Sequence, residues 1–212
     1  EPKIIAFEAE AEVTAVLDNH EAVTGTKRGE LTIWSMRTGK PLRQLVTPPG
    51  GAASMSRKGV AATSAHSREV KALQVSHDGI YMVSASADAT LKVWHMETEK
   101  QMHTLKGHKD EVLCCCISND NDLIVSGSRD CSIRVWRLQN GLPVSAFNTG
   151  VDVFTVKISN DKHTVVALGD KFASRKLIML KVVTTKVKSR TGSRATSPLS
   201  SPDMYPTHNL SF

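Results

Sequence analysis

Trp94 and Trp136 stand 42 residues apart, as do Asp88 and Asp130, and His66 and His108. Three residue types sharing one offset make a repeat, and a repeat constrains the fold more than any composition figure does. A period of about 40 to 45 residues, with one His and one Trp per unit, marks a chain built from small four-stranded sheets. Such a unit cannot bury its apolar face alone, so neighbouring units must stack.

The unit at 66–106 reads as strands Val70–Ser76, Tyr81–Ser86, Thr90–Met96 and Gln101–Leu105. The unit at 107–148 repeats them as Val112–Ser118, Leu123–Ser128, Ser132–Leu138 and Pro143–Asn148. Between strands fall His77-Asp78-Gly79 and Gln139-Asn140-Gly141, where Gly, Asn and Asp supply tight-turn angles. An earlier unit over 13–47 keeps Trp34, with strands at Val13–Leu17, Glu21–Thr26, Leu31–Met36 and Pro41–Val46. The extra spacing between Trp34 and Trp94 falls at 48–64, where Pro48-Pro49-Gly50-Gly51 predicts an extruded loop. A later unit, 149–185, is degenerate. It has strands Val153–Ser159, Thr164–Leu168 and Lys176–Val183 and no Trp, but Ile-Ser-Asn-Asp at both 117–120 and 158–161 fixes its register.

Residues 1–7 read as the last strand of a preceding unit, because Pro2–Phe7 resembles Pro143–Phe147. The expected fold is all-β, a propeller with about four blades' worth of four-stranded antiparallel sheets. Either the first strand completes the last blade of a four-bladed ring, or the chain is the carboxyl-terminal part of a larger propeller. The start in mid-blade and the missing initiator Met favour the second. Residues 186–212, rich in Ser, Thr, Pro and Arg, hold too little apolar surface to offset ordering entropy and are expected to be a disordered tail.

Five of the cations and one acid lie from residue 181 onward, so this segment carries +4 of the net +6. The blades themselves mix both signs, unlike the one-sided basic surface of a nucleic-acid binder. No run approaches the roughly 20 apolar residues of a membrane span, and the start lacks a signal-peptide pattern. The chain reads as an intracellular, cytoplasmic protein without a membrane partner. Cys114, Cys115 and Cys116 alternate faces on one strand and cannot converge on a metal; with Cys131 they read as reduced thiols. Asn119-Asp120-Asn121-Asp122 suggests calcium by composition, but its counterparts His77-Asp78-Gly79 and Asn160-Asp161-Lys162 make it a turn.

With Gly107-His108 and Ala65-His66 opening the central units, and Trp94 and Trp136 closing their third strands, the chain resembles the WD-repeat family over residues 1–185. The final Asp of that family's Trp-Asp pair is replaced in Trp34-Ser35, Trp94-His95 and Trp136-Arg137. The resemblance implies a hydrogen-bonded network in each blade: His66, Ser84 or Ser86, Asp88 and Trp94, then His108, Ser126 or Ser128, Asp130 and Trp136. Ser86 and Ser128 are taken as the network hydroxyls. A Ser-His-Asp set also suggests a catalytic triad, but this one recurs in successive blades at fixed offsets and includes a Trp. In the first unit Arg28 replaces the Asp, and Ala9 or a neighbour replaces the His, so packing must hold that blade.

No Gly-rich phosphate loop, His-Glu-x-x-His or Gly-x-Ser-x-Gly is present, and no catalytic residue, cofactor, metal or small-molecule substrate is expected. The expected function is a non-catalytic protein-interaction scaffold, or the regulatory propeller of a larger multidomain protein. Other proteins or peptides would meet the propeller face at Lys27, Arg68, Ala87, Asp110 and Arg129. The degraded repeats and inserted loop look like the carboxyl-terminal propellers of NACHT and WD-repeat proteins. Two other readings stand. Trp34-Ser35-Met36-Arg37 partly matches the Trp-Asp-x-Arg of substrate receptors for cullin-type ubiquitin ligases, and the basic tail alone hints at RNA. Ser197-Pro198 and Ser201-Pro202 are candidate phosphorylation sites.

Overall fold

The computed structural model describes residues 11–18, 20–47, 64–171 and 174–182. The expectations for residues 1–7, Ala9, the 48–63 insertion and the 186–212 segment, with Ser197 and Ser201, lie outside them. All regular structure among the described residues is strand. Blade 1 comprises β1 (Val13–Val16), β2 (Glu21–Gly25), β3 (Leu31–Ser35) and β4 (Pro41–Leu45). Blade 2 comprises β5 (Val70–Val75), β6 (Tyr81–Ser86), β7 (Thr90–His95) and β8 (Lys100–Lys106). Blade 3 comprises β9 (Val112–Ile117), β10 (Leu123–Ser128), β11 (Ser132–Arg137) and β12 (Pro143–Asn148). Blade 4 holds three strands among the described residues: β13 (Asp152–Ile158), β14 (Thr164–Lys171) and β15 (Ser174–Lys181).

Each blade is an antiparallel meander in sequence order, as expected when tight turns join strands of period-two pattern. The hairpin of blade 4 is longer than its sequence suggests, because antiparallel pairing continues through Lys171↔Ser174.

The core lies between blades. Val23, Leu31, Ile33 and Leu45 of blade 1 meet Val70, Met82 and Trp94 of blade 2. Val83, Leu91, Val93 and Leu105 then meet Ile124, Trp136 and Leu138 of blade 3. Cys114, Cys116, Val125 and Ile133 meet Val153, Val165, Ala167 and Leu180 of blade 4. Trp94 and Trp136 are thus keys inserted into the preceding blade, 0% and 1% exposed. Fully burying one large apolar side chain contributes about 1.5–3 kcal/mol, so these seams hold the stack together. The first strands lie against one another along the stack, β1 on β5, β5 on β9 and β9 on β13. Gly127 permits one such approach: a Cβ there would lie 2.4 Å from Val153 Cγ1.

Candidate functional site

The turns between second and third strands and the loops that enter each first strand lie at the same end of the sheets. Asp88 organises the turn of blade 2. Its Oδ1 accepts bonds from the Thr90 N–H at 3.0 Å and hydroxyl at 2.6 Å, and its Oδ2 accepts the Ser67 N–H at 3.1 Å. Asp130 does the same in blade 3 with Ser132 (2.9 and 2.6 Å) and Lys109 (2.8 Å). These bonds hold Ala89 and Cys131 in the left-handed region, at φ 65° and 61°, a conformation that non-glycine residues adopt when local bonds over-determine it. Where Arg28 replaces the Asp, Gly29 occupies that position at φ 80°.

The same carboxylates anchor a directed chain. His66 Nδ1 lies 3.0 Å from Asp88 Oδ2 and Nε2 lies 2.8 Å from Ser84 Oγ, which accepts the Trp94 indole N–H at 3.0 Å. In blade 3 the corresponding distances are 2.9, 2.8 and 2.9 Å for His108–Asp130, His108–Ser126 and Trp136–Ser126. An ionised Asp accepts the Nδ1–H, so the imidazole is neutral and its Nε2 accepts the Ser hydroxyl proton. Burial pushes both imidazoles below their ordinary value, only partly opposed by the facing Asp. Burial would raise Asp130, yet the bonds from Ser132, Lys109 and His108 outweigh it and hold the carboxyl at about 2. Asp88 is likewise held far below the carboxylate range by His66, Thr90 and Ser67 against its desolvation.

Ser84 and Ser126, not Ser86 and Ser128, carry the network. Ser86 and Ser128 lie two residues, about 7 Å, further along their strands and do another job. Their hydroxyls accept the Asp88 and Asp130 N–H at 3.1 and 3.0 Å and donate to the Arg68 and Asp110 carbonyls at 3.1 Å each. The linkage is that of a triad, but Ser84 and Ser126 are 0% exposed and sit behind a tryptophan, where no substrate can reach them. Blade 1 keeps the last link among the described residues, Trp34 Nε1 to Thr24 Oγ1 at 2.8 Å.

The anticipated contact residues divide. Ala87 is 4% exposed and cannot meet a partner; the strand end tucks it under Arg68, which donates to its carbonyl at 2.9 Å. Lys27 is exposed and pairs with Glu12 at 3.0 Å. Asp110 is exposed, and its carboxylate accepts the Glu111 N–H. Arg68 and Arg129, with side chains 61% and 50% exposed, converge on Glu111 at 3.5 and 3.1 Å, and Arg129 also reaches Asp152 at 3.9 Å. A charged belt therefore runs across blades 2, 3 and 4. Glu111 and Asp152 escaped sequence reasoning although a signal exists: Glu12-Val13, Glu69-Val70, Glu111-Val112 and Asp152-Val153 head the four blades alike.

The thiols offer no chemistry here. Cys114 and Cys116 face blade 4 and Cys115 faces blade 2. Burial raises all three, to about 12 for Cys114, about 11 for Cys116 and well above the ordinary range for Cys115. Among the described residues no group of three or more His, Cys, Asp or Glu is placed to hold a metal ion.

The family model described as "WD domain, G-beta repeat" matches residues 58–95 and 99–137. No curated protein matches the sequence significantly. Among solved structures, U3-55K and the RRP9 WD40 repeats each superpose with a TM-score of 0.62 at 19% identity, over 79% of this chain and 50% of theirs. The chain thus spans about half the length of these propellers, and the likeness is one of fold. The further likeness to NACHT and WD-repeat proteins draws no support from these matches. Blade order and structural likeness together give this chain a β-propeller fold, in which the stretches matched by the WD-repeat model fall on blades 2 and 3.

Proposed function

We propose that the chain is a non-catalytic protein-interaction scaffold, or the regulatory propeller of a larger protein, acting inside the cell through its loop face. The observation that carries this reading is the belt Arg68–Glu111–Arg129–Asp152. Two half-exposed guanidiniums are held on rigid strand ends by an acid that is only 14% exposed, so the fold presents directed donors at little ordering cost. A guanidinium fork suits carboxylate-bearing segments of other proteins. The test compares proteins co-purifying from cells with the wild type and with Arg68→Glu/Arg129→Glu. We expect partners to be lost with the melting temperature held within a few degrees; an unchanged partner set rejects the reading.

A ligase-receptor role is the second reading, supported by the exposure of Arg37 on the turn after β3. Loss of a ligase adaptor on Arg37→Glu, with the belt variant still binding it, would favour that role. Retention of residues 1–180 on RNA at physiological salt would instead favour nucleic acid, whereas retention that needs residues 186–212 would reflect charge alone.

A further inference from the structure

The seam of blades 3 and 4 closes without an indole. Val165 pairs with Ile158 and Leu180, as Ile124 pairs with Ile117 and Trp136, so Leu180 stands at the Trp position. One seam earlier, the Trp136 ring packs among Leu91, Val93 and Leu105 of blade 2. The residues 42 positions on are Ile133, Val135 and Phe147 of blade 3, and they line a pocket of about 140 Å³ beside Leu180. The leucine fills part of an indole's place and leaves the remainder as this pocket. Walls that close on an aromatic ring elsewhere in the chain are therefore repeated here around open space.

The chemistry of the lining narrows what fits. A cavity of about this size with aliphatic and aromatic walls admits a single benzene-sized ring. Both cations at the rim are already matched: Arg137 bonds the Asp122 carboxylate at 2.6 and 2.8 Å, and Lys162 reaches Asp120 and Asp122. No anion is therefore favoured, and the apolar interior penalises any charge. Inside, one polar atom is unanswered. The Ser145 hydroxyl oxygen lines the pocket and is buried with no hydrogen-bond partner among the described residues. A hydroxyl both donates and accepts, so a second hydroxyl meets it in either direction.

We propose that this pocket is a binding site for a small neutral aromatic ring bearing a hydroxyl, a ligand of the phenol class. The ring lies among Ile133, Val135, Phe147, Val165 and Leu180, and its hydroxyl bonds Ser145. Binding removes two costs at once, an unfilled apolar space between blades and a buried unsatisfied hydroxyl. The charged residues of the lining, Asp122, Arg137, Asp161, Lys162 and His163, belong to the ends of the sheets opposite the Arg68–Glu111–Arg129–Asp152 belt. The mouth therefore opens away from the belt, and the site is independent of the scaffold reading.

Heteronuclear magnetic-resonance titration of the full 212-residue chain with phenol, and with benzene as the ring alone, tests this. We expect saturable shifts centred on the pocket residues. In Ser145→Ala the affinity for phenol should fall on the order of threefold to tenfold while that for benzene holds. In Leu180→Trp, whose side chain supplies its own ring, neither should bind. Absence of saturable shifts at the pocket in the wild type overturns the proposal. So does an unchanged ratio of phenol to benzene affinity in Ser145→Ala, or undiminished binding by folded Leu180→Trp. If only a tyrosine-bearing peptide shifts these residues, the occupant is a protein segment and the proposal fails.

Discussion

A single carboxylate does two jobs in blades 2 and 3: it fixes a left-handed turn residue and orients the imidazole that satisfies the buried indole. Removing it in Asp130→Ala strands the His108 Nδ1–H and three other donors, a cost on the order of 1–3 kcal/mol for the buried group. Thermal unfolding should show a drop of several degrees. The matched control is Arg28→Ala, at the position of blade 1 where an arginine stands in place of the Asp, and it should leave the melting temperature almost unmoved. The protonation states carry a pH signature. The depressed Asp88 and Asp130 contribute stability that is present above pH 4 and lost as pH falls toward about 2. The lowered imidazoles add a term in the same direction, present above pH 6.5 and declining below it, because the unfolded state takes up the proton first. Urea unfolding at stepped pH should therefore show a monotonic loss below 6.5, and a network serine variant, Ser126→Ala, should start lower than the wild type.

At the scale of elements, the blade seam is the unit of stability. Gly127→Ala should destabilise by about 1–3 kcal/mol through overpacking, since its new Cβ would meet both Val153 Cγ1 and Cys114 Sγ inside ordinary contact distance. Calorimetry showing no change would mean that β10 and β13 can part without loss. Lys92 adds a polar tie at such a seam. Its ammonium, 9% exposed and pushed down by burial, donates to Thr47 Oγ1 at 2.7 Å and to the Ala65 carbonyl. Thr47 and Ala65 border residues 48–63 in the sequence, so Lys92 ties together the two described ends on either side of that segment. Strand positions were legible in the sequence because period-two alternation and turn residues act locally. The longer hairpin of blade 4 was not, because no Asp marks its turn and pairing continues until it runs out.

For the whole molecule, Cys114, Cys115 and Cys116 report whether the seams are closed. A thiol reagent should label Cys131, which is only partly buried, while the other three react only on unfolding. Early labelling of all four in the native protein would contradict the stacked order of blades. The 42-residue offset by itself determined that the chain is an all-β repeat and that its His, Asp and Trp are architecture, because a repeated constellation needs no geometry to be recognised. Only the tertiary structure chose Ser84 over Ser86, buried Ala87, brought Glu111 between two arginines from different blades and opened the pocket beside Leu180. Each of these depends on how far one side chain reaches into a neighbouring strand or blade, a distance that sequence spacing along one strand does not encode.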